Sequence, residues 1–170
     1  MIRGALAASL LVFGLQGQAL AQTNESTVEA LGFVGGVTDG GGTTFGGGMQ
    51  FGARRLIFAA EVGYLTLGDD GPNVDVSAIS IDLNAHYLFS LANNSKITPY
   101  VLGGLGIIRT SVSVEGANDD LSDTDTGLNL GAGVRFAVGT NWGFRPEIKF
   151  LVKDDTSTRI TVGVYYRFGR

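Results

Sequence analysis

The chain has 170 residues, 27 of them glycine, and its 16 Asp and Glu outnumber 12 Lys and Arg for a net charge of -4. A single domain so rich in glycine and so poor in charge departs from ordinary soluble composition, and an acidic balance without a basic cluster excludes a nucleic-acid partner. With no cysteine, neither a disulfide framework nor a thiolate metal site is possible.

Residues 1–21 read as an export signal. Arg3 supplies the positive start, Ala5 to Leu15 an apolar core of 11 residues, and Ala19-Leu20-Ala21 a small-x-small cleavage site. That core is well short of the roughly 20 residues a helix needs to cross a bilayer. The predicted mature domain is residues 22–170.

From Gln22 onward the pattern has period two, punctuated by Gly, Asp, Asn and Ser, which predicts eight strands joined as hairpins. Strands one (27–38) and two (43–53) are glycine-rich, with apolar parities Leu31, Phe33, Val37 and Phe45, Met49, Phe51 whose facing is open, and Asp39-Gly40-Gly41-Gly42 forms the turn between them. Strand three (56–66) sets Phe58, Ala60, Val62 and Tyr64 against Ala59, Glu61 and Gly63. Strand four (75–89) sets Ile79, Ile81, Leu83, Tyr87 and Phe89 against Ser80, Asp82, Asn84 and His86. Strand five (97–112) is apolar on both parities and its facing is open. Strand six opposes Leu128, Leu130, Val134 and Phe136 to Asn129 and Arg135. Strand seven (142–152) alternates most strongly, with Trp142, Phe144, Pro146, Ile148, Phe150 and Val152 on one face and Arg145, Glu147 and Lys149 on the other. Strand eight opposes Ile160, Val162, Val164, Tyr166 and Phe168 to Arg159, Thr161, Tyr165 and Arg167.

Alternation alone fits either a soluble barrel with an oily core or a membrane barrel with an oily exterior. The aromatic residues separate the two. With the N-terminus in the periplasm, Phe51, Phe58, Tyr87, Phe89, Tyr100, Phe136, Trp142, Phe144, Tyr166 and Phe168 gather near one end, with a thinner set of Phe45, Tyr64 and Phe150 towards the other. Rings sorted by height are what a membrane interface requires, and a soluble core has no reason to sort them. The connections at 54–55, 90–96 and 139–141 also read as short, against longer acidic ones at 68–73 and 113–125. Turning strand seven over would place Arg145 and Lys149 in lipid at up to about 2–4 kcal/mol each. Pro146, lacking an N–H, predicts a bulge or a missing rung. The expected fold is therefore all-β, an eight-stranded antiparallel up-and-down transmembrane barrel.

Pro99-Tyr100-Val101-Leu102-Gly103-Gly104-Leu105-Gly106, Leu130-Gly131-Ala132-Gly133-Val134-Arg135-Phe136, Trp142-Gly143-Phe144-Arg145 and Gly163-Val164-Tyr165-Tyr166-Arg167-Phe168 resemble the small outer-membrane β-barrels of the OmpA and OmpX type. The resemblance implies the cell outer membrane as location, its lipids as surroundings, and the barrel-assembly machinery as the partner that reads the terminal strand. Gly169-Arg170 after Phe168 departs from the family's final Phe. A monomer is expected.

The predicted lumen set is Glu29, Glu61, Asp82, Arg135, Arg145, Glu147, Lys149, Arg159 and Arg167. An eight-stranded barrel is just wide enough for side chains, so near-balanced charges are expected to pair and plug it; the competing reading is an ion path. His86 is the single histidine. In lipid-deacylating members of the family a His and a Ser stand two residues apart, whereas here His86-Tyr87-Leu88 has no such Ser, so no catalysis and no metal or cofactor site is expected. Asp119, Asp120, Asp123 and Asp125 lack the spacing of a calcium loop and read as a solvated acidic loop. Gly46-Gly47-Gly48 and Gly103-Gly104 lie in strands and are expected to make room for large neighbours. The function expected is a structural or surface-interaction role. The alternatives are a lipid-modifying outer-membrane enzyme and a soluble periplasmic barrel carrying an apolar ligand.

Overall fold

The structure, a computed structural model, describes residues 26–38, 41–67, 74–91, 96–114, 121–153 and 155–169. The predicted signal segment, Asp39 and Gly40, the connection at 68–73, and Asp119 and Asp120 lie outside them. Eight strands follow in chain order: β1 (Thr27–Val37), β2 (Thr43–Ala53), β3 (Leu56–Leu67), β4 (Val74–Leu88), β5 (Ile97–Val114), β6 (Leu121–Ala137), β7 (Trp142–Val152) and β8 (Ser157–Phe168). Each pairs antiparallel with the next, and β1 closes on β8 from Val28↔Phe168 to Val37↔Arg159. Closure gives nearly every backbone N–H and C=O a neighbour, the condition for crossing hydrocarbon with strands. Among the described residues no helix is long and apolar enough to cross a membrane.

The oily parity lies outside. Val34, Val62, Ile81, Leu83, Leu105, Leu128, Ile148, Ile160 and Val162 are exposed, while Glu61, Asp82, Arg145, Glu147 and Lys149 are buried within. That arrangement overturns the soluble-barrel alternative, whose apolar residues would fill the interior.

Facings that the sequence left open are now fixed, and one expectation changes. First, the apolar parity of β1 points inward: Leu31, Phe33 and Val37 are buried on the same face as Glu29. Second, β5 sends Val101, Leu105 and Ile107 outward and Tyr100 and Leu102 inward, so Tyr100, 1% exposed, leaves the aromatic set. Third, most of the stretch at 113–125 is strand rather than loop, since β5 runs to Val114 and β6 starts at Leu121. Asp123 and Asp125 therefore sit in β6. Ser and Thr alternating with Asp carry no hydrophobic period, because this hairpin stands above the apolar band with water on both faces.

The expected contrast of short and long connections is not found. The longest, at 89–96, lies at the end that carries the termini, while those at the other end span six residues or fewer. Height comes from strands instead: β4, β5 and β6 have 15, 18 and 17 residues against 11 or 12 elsewhere. β6 outruns β7, whose Val152 pairs with Leu128, so residues 121–127 have a strand neighbour only on the β5 side.

Pro146 removes rungs without shifting register. Gly133↔Glu147 and Phe136↔Phe144 hold one alignment of β6 with β7, and no pairing joins Val134 to Pro146 or Arg135 to Arg145.

Candidate functional site

The most concentrated polar chemistry is in the lumen, where inward residues of all eight strands converge. At the end carrying the termini, Glu29 on β1 accepts from Arg135 Nη2 on β6 at 2.5 Å and from Arg167 Nη2 on β8 at 3.1 Å. Arg135 Nη1 also donates to Gln50 Oε1 at 3.2 Å, and its guanidinium lies 4.1 Å above the Tyr165 ring. That ring fits because Gly143 has no side chain; a Cβ there would stand 2.5 Å from Tyr165 Oη.

At mid-height Glu61 on β3 accepts from Arg145 Nη2 at 2.6 Å and Lys149 Nζ at 2.8 Å, both reaching across from β7. Glu147 lies 3.4 Å from Arg145 and 3.6 Å from Lys149, and its Oε2 accepts from Tyr100 Oη at 2.6 Å. Tyr100 occupies the space over Gly133, where a Cβ would fall 2.4 Å from its hydroxyl, and stacks at 5.0 Å on His86. His86 is fully buried, and neither ring nitrogen has a hydrogen-bond partner among the described residues.

Above this, Asp82 on β4 accepts from Arg159 Nη2 at 2.5 Å and Asn129 Nδ2 at 2.8 Å, with Lys149 Nζ at 3.6 Å. Arg159 Nη1 donates to Ser80 at 3.0 Å. All nine charged residues singled out in the sequence thus take part in ion pairs. Arg135, Arg145, Lys149 and Arg159 are buried against Glu29, Glu61, Asp82 and Glu147, and Arg167 is 44% exposed at the rim. Four buried cations facing four buried anions leave no uncompensated charge in the lumen, the condition under which such a network is tolerated.

Sequence reasoning missed the collar over this network. Val37, Leu65 and Ala78 form a buried apolar cluster with Ile108 packed against it. With Leu151 they floor a cavity of about 470 Å³ that opens at the loop end and is walled by Thr110, Asp125, Lys153, Asp155, Thr156 and Ser157. Lys153 pairs with Asp125. The inward parity of β1 and β3 already held Val37 and Leu65, but a lumen assumed to be polar throughout hid their meaning. Among the described residues no group of three or more His, Cys, Asp or Glu is placed to hold a metal.

The aromatic residues named from sequence stand outside. Phe51, Phe58, Tyr87, Phe89, Phe136, Trp142, Phe144, Tyr166 and Phe168 are exposed at the end with the termini, and several touch: Phe51 with Phe58 at 5.7 Å, Tyr87 with Phe89 at 5.2 Å, Trp142 with Phe144 at 5.6 Å. Phe45 and Tyr64 pair at 5.5 Å towards the other end.

Residues 5–168 match the family described as outer membrane protein beta-barrel domain. No curated protein matches the chain. Among solved structures, the N-terminal β-barrel domain of Pseudomonas aeruginosa OprF is similar at 19% identity and a TM-score of 0.67, covering 86% of this chain and 100% of that one. Neisserial surface protein A is similar at 24% identity and a TM-score of 0.60, covering 84% and 96%. Ail, the attachment invasion locus protein of Yersinia pestis, is similar at 20% identity and a TM-score of 0.61, covering 86% and 100%. At these identities the likeness is one of fold.

Proposed function

The chain belongs to the outer membrane protein beta-barrel domain family, and from that premise we propose that this outer-membrane barrel works without catalysis, as a monomer with a plugged lumen and a structural or surface-interaction role. The observation that carries the reading is the ion-pair network, which links β1, β3, β4, β6, β7 and β8 across the interior and is buried along most of its height. Side chains locked to one another across a lumen barely wider than themselves leave little path for ions. The apolar collar supports the same reading, since it narrows the route from the loop end to the pairs below.

His86 argues against a lipid-modifying enzyme. Its ring is closed off from the lipid face and stacked on Tyr100. The nearest lumen-facing Ser on its strand, Ser80, is six residues and so about 20 Å away along the chain, and it accepts from Arg159 instead. A surface role is supported by charge. Asp69, Asp70, Asp119, Asp120, Asp154 and Asp155 all fall, in sequence, in the connections that follow β3, β5 and β7, and the printed names of two similar barrels, a surface protein and an attachment invasion locus protein, point the same way.

Planar-bilayer recording tests the plug. The native barrel is expected to show no large steady conductance, and Glu147→Gln is expected to lose about 3 kcal/mol of stability while conductance stays low. A wild type that conducts steadily would end the plugged-lumen reading.

A further inference from the structure

The hairpin joining β2 to β3 combines three features that do not explain one another. Its turn is two residues, Arg54 and Arg55, between the paired Ala53 and Leu56. Arg54 has φ +57°, alone among the described non-glycine residues in taking a positive value. Hairpins of this length give such a place to Gly or Asn, and a long β-carbon-bearing side chain there costs stability. Both arginines are exposed, and neither makes an ion pair among the described residues. Two positions inside the turn, Phe51 and Phe58 stack on the lipid-facing surface, with exposed Leu56 beside them.

A cationic tip set one step beyond an aromatic pair is the order in which a bilayer presents its layers: phosphate outermost, then the interfacial zone where rings settle, then hydrocarbon. We propose that the Arg54–Arg55 turn is a docking site for the headgroup of an anionic phospholipid. The two guanidiniums bind its phosphate, while Leu56, Phe51 and Phe58 flank its acyl chains. Arginine suits this because its planar fork gives two parallel hydrogen bonds to phosphate oxygens. Among the described residues at this end Glu29 is buried and already held by Arg135 and Arg167, so it does not compete for the turn. Binding then offsets the conformational cost at Arg54, which explains why a residue poorly suited to the backbone stands there. The site rests on the membrane reading, with the end carrying the termini facing a phospholipid leaflet.

The test uses the folded barrel in nanodiscs. Trp142, the single tryptophan, is changed to Phe, and Tyr87→Trp, at the exposed position paired with Leu56 on β4, sets a reporter beside the turn. Its fluorescence is quenched with brominated phosphatidylglycerol or brominated phosphatidylcholine. At low salt the anionic lipid is expected to associate about five-fold more strongly for one engaged arginine and up to about thirty-fold for two. Arg54→Asn with Arg55→Asn should erase the preference while the heat-dependent gel mobility of a closed barrel persists, and Arg54→Gly alone should weaken the preference yet raise thermal stability in phosphatidylcholine. Free inorganic phosphate is expected to weaken the preference more than chloride at equal ionic strength; equal quenching by the two lipids, or a preference that survives the double variant, would overturn the site. A chain that fails to enter the bilayer at all would instead overturn the membrane reading beneath it.

Discussion

Glu61→Gln is the sharpest probe of the lumen. Glu61 is 2% exposed and accepts two charge-assisted bonds, from Arg145 at 2.6 Å and Lys149 at 2.8 Å. Without its charge, Arg145 keeps only Glu147 at 3.4 Å, and Lys149 keeps Glu147 and Asp82, both at 3.6 Å. Removing one partner of a buried pair costs about 3–5 kcal/mol, because the other charge remains desolvated. For a domain of this size that is a fall of roughly 6–20 °C in Tm. Taking away Lys149 as well restores the balance of charge, so Glu61→Gln with Lys149→Met is expected to be more stable than the sum of the single changes by about 1–3 kcal/mol. Urea unfolding in lipid vesicles, followed by tryptophan fluorescence, measures all four members of the cycle. If Glu61→Gln costs under about 1 kcal/mol, as an exposed pair would, or if the two changes simply add, then the lumen is wet and the charges are not locked together.

Two other changes probe the walls. Gly133→Ala drives a Cβ to within 2.4 Å of Tyr100 Oη and 2.7 Å of the Pro146 carbonyl oxygen. It is expected to cost about 1–3 kcal/mol, read as a lower temperature for the gel-mobility shift on heating. Ile148→Arg puts a charge on the lipid face of β7 and is expected to cost about 2–4 kcal/mol near the midplane. Equal stability of that variant in vesicle titrations would mean that Ile148 does not face hydrocarbon.

Legibility tracked how cleanly each strand sorts its chemistry. In β7, Arg145, Glu147 and Lys149 recur at period two against Phe144, Ile148 and Phe150, so one face is fixed by the pattern alone. The identity of the partners is not, because Glu61 meets Arg145 and Lys149 from the far side of the barrel, where no local spacing reaches. The facing of β5 and β1 stayed open for a related reason. Tyr100 faces inward because Gly133 leaves room beneath its ring, and Phe33 does so because Gly46 and Gly63 do, each within 3.4 Å or less of where a Cβ would stand. An apolar side chain in a β-barrel is thus lipid-facing or lumen-filling according to glycines on other strands, and one strand read by itself does not carry that information. The acidic hairpin was hidden by the opposite fault: with polar residues on both parities, Ser122 to Thr126 have no oily face to reveal a strand.

The tall side of the wall has a consequence for life in a crowded membrane. Where β6 rises past its shorter neighbour, alternate peptide groups of residues 121–127 look sideways into solvent. A bare margin of that kind recruits strands from adjacent molecules and seeds polymers. Asp125 is paired with Lys153, but Asp123 leaves a negative charge on this stretch, so two copies meeting there bring like charges together before their backbones can register. Exchanging Asp123 for threonine is expected to let neighbouring copies join along this margin, read as cross-linked dimers and larger species absent from the parent protein.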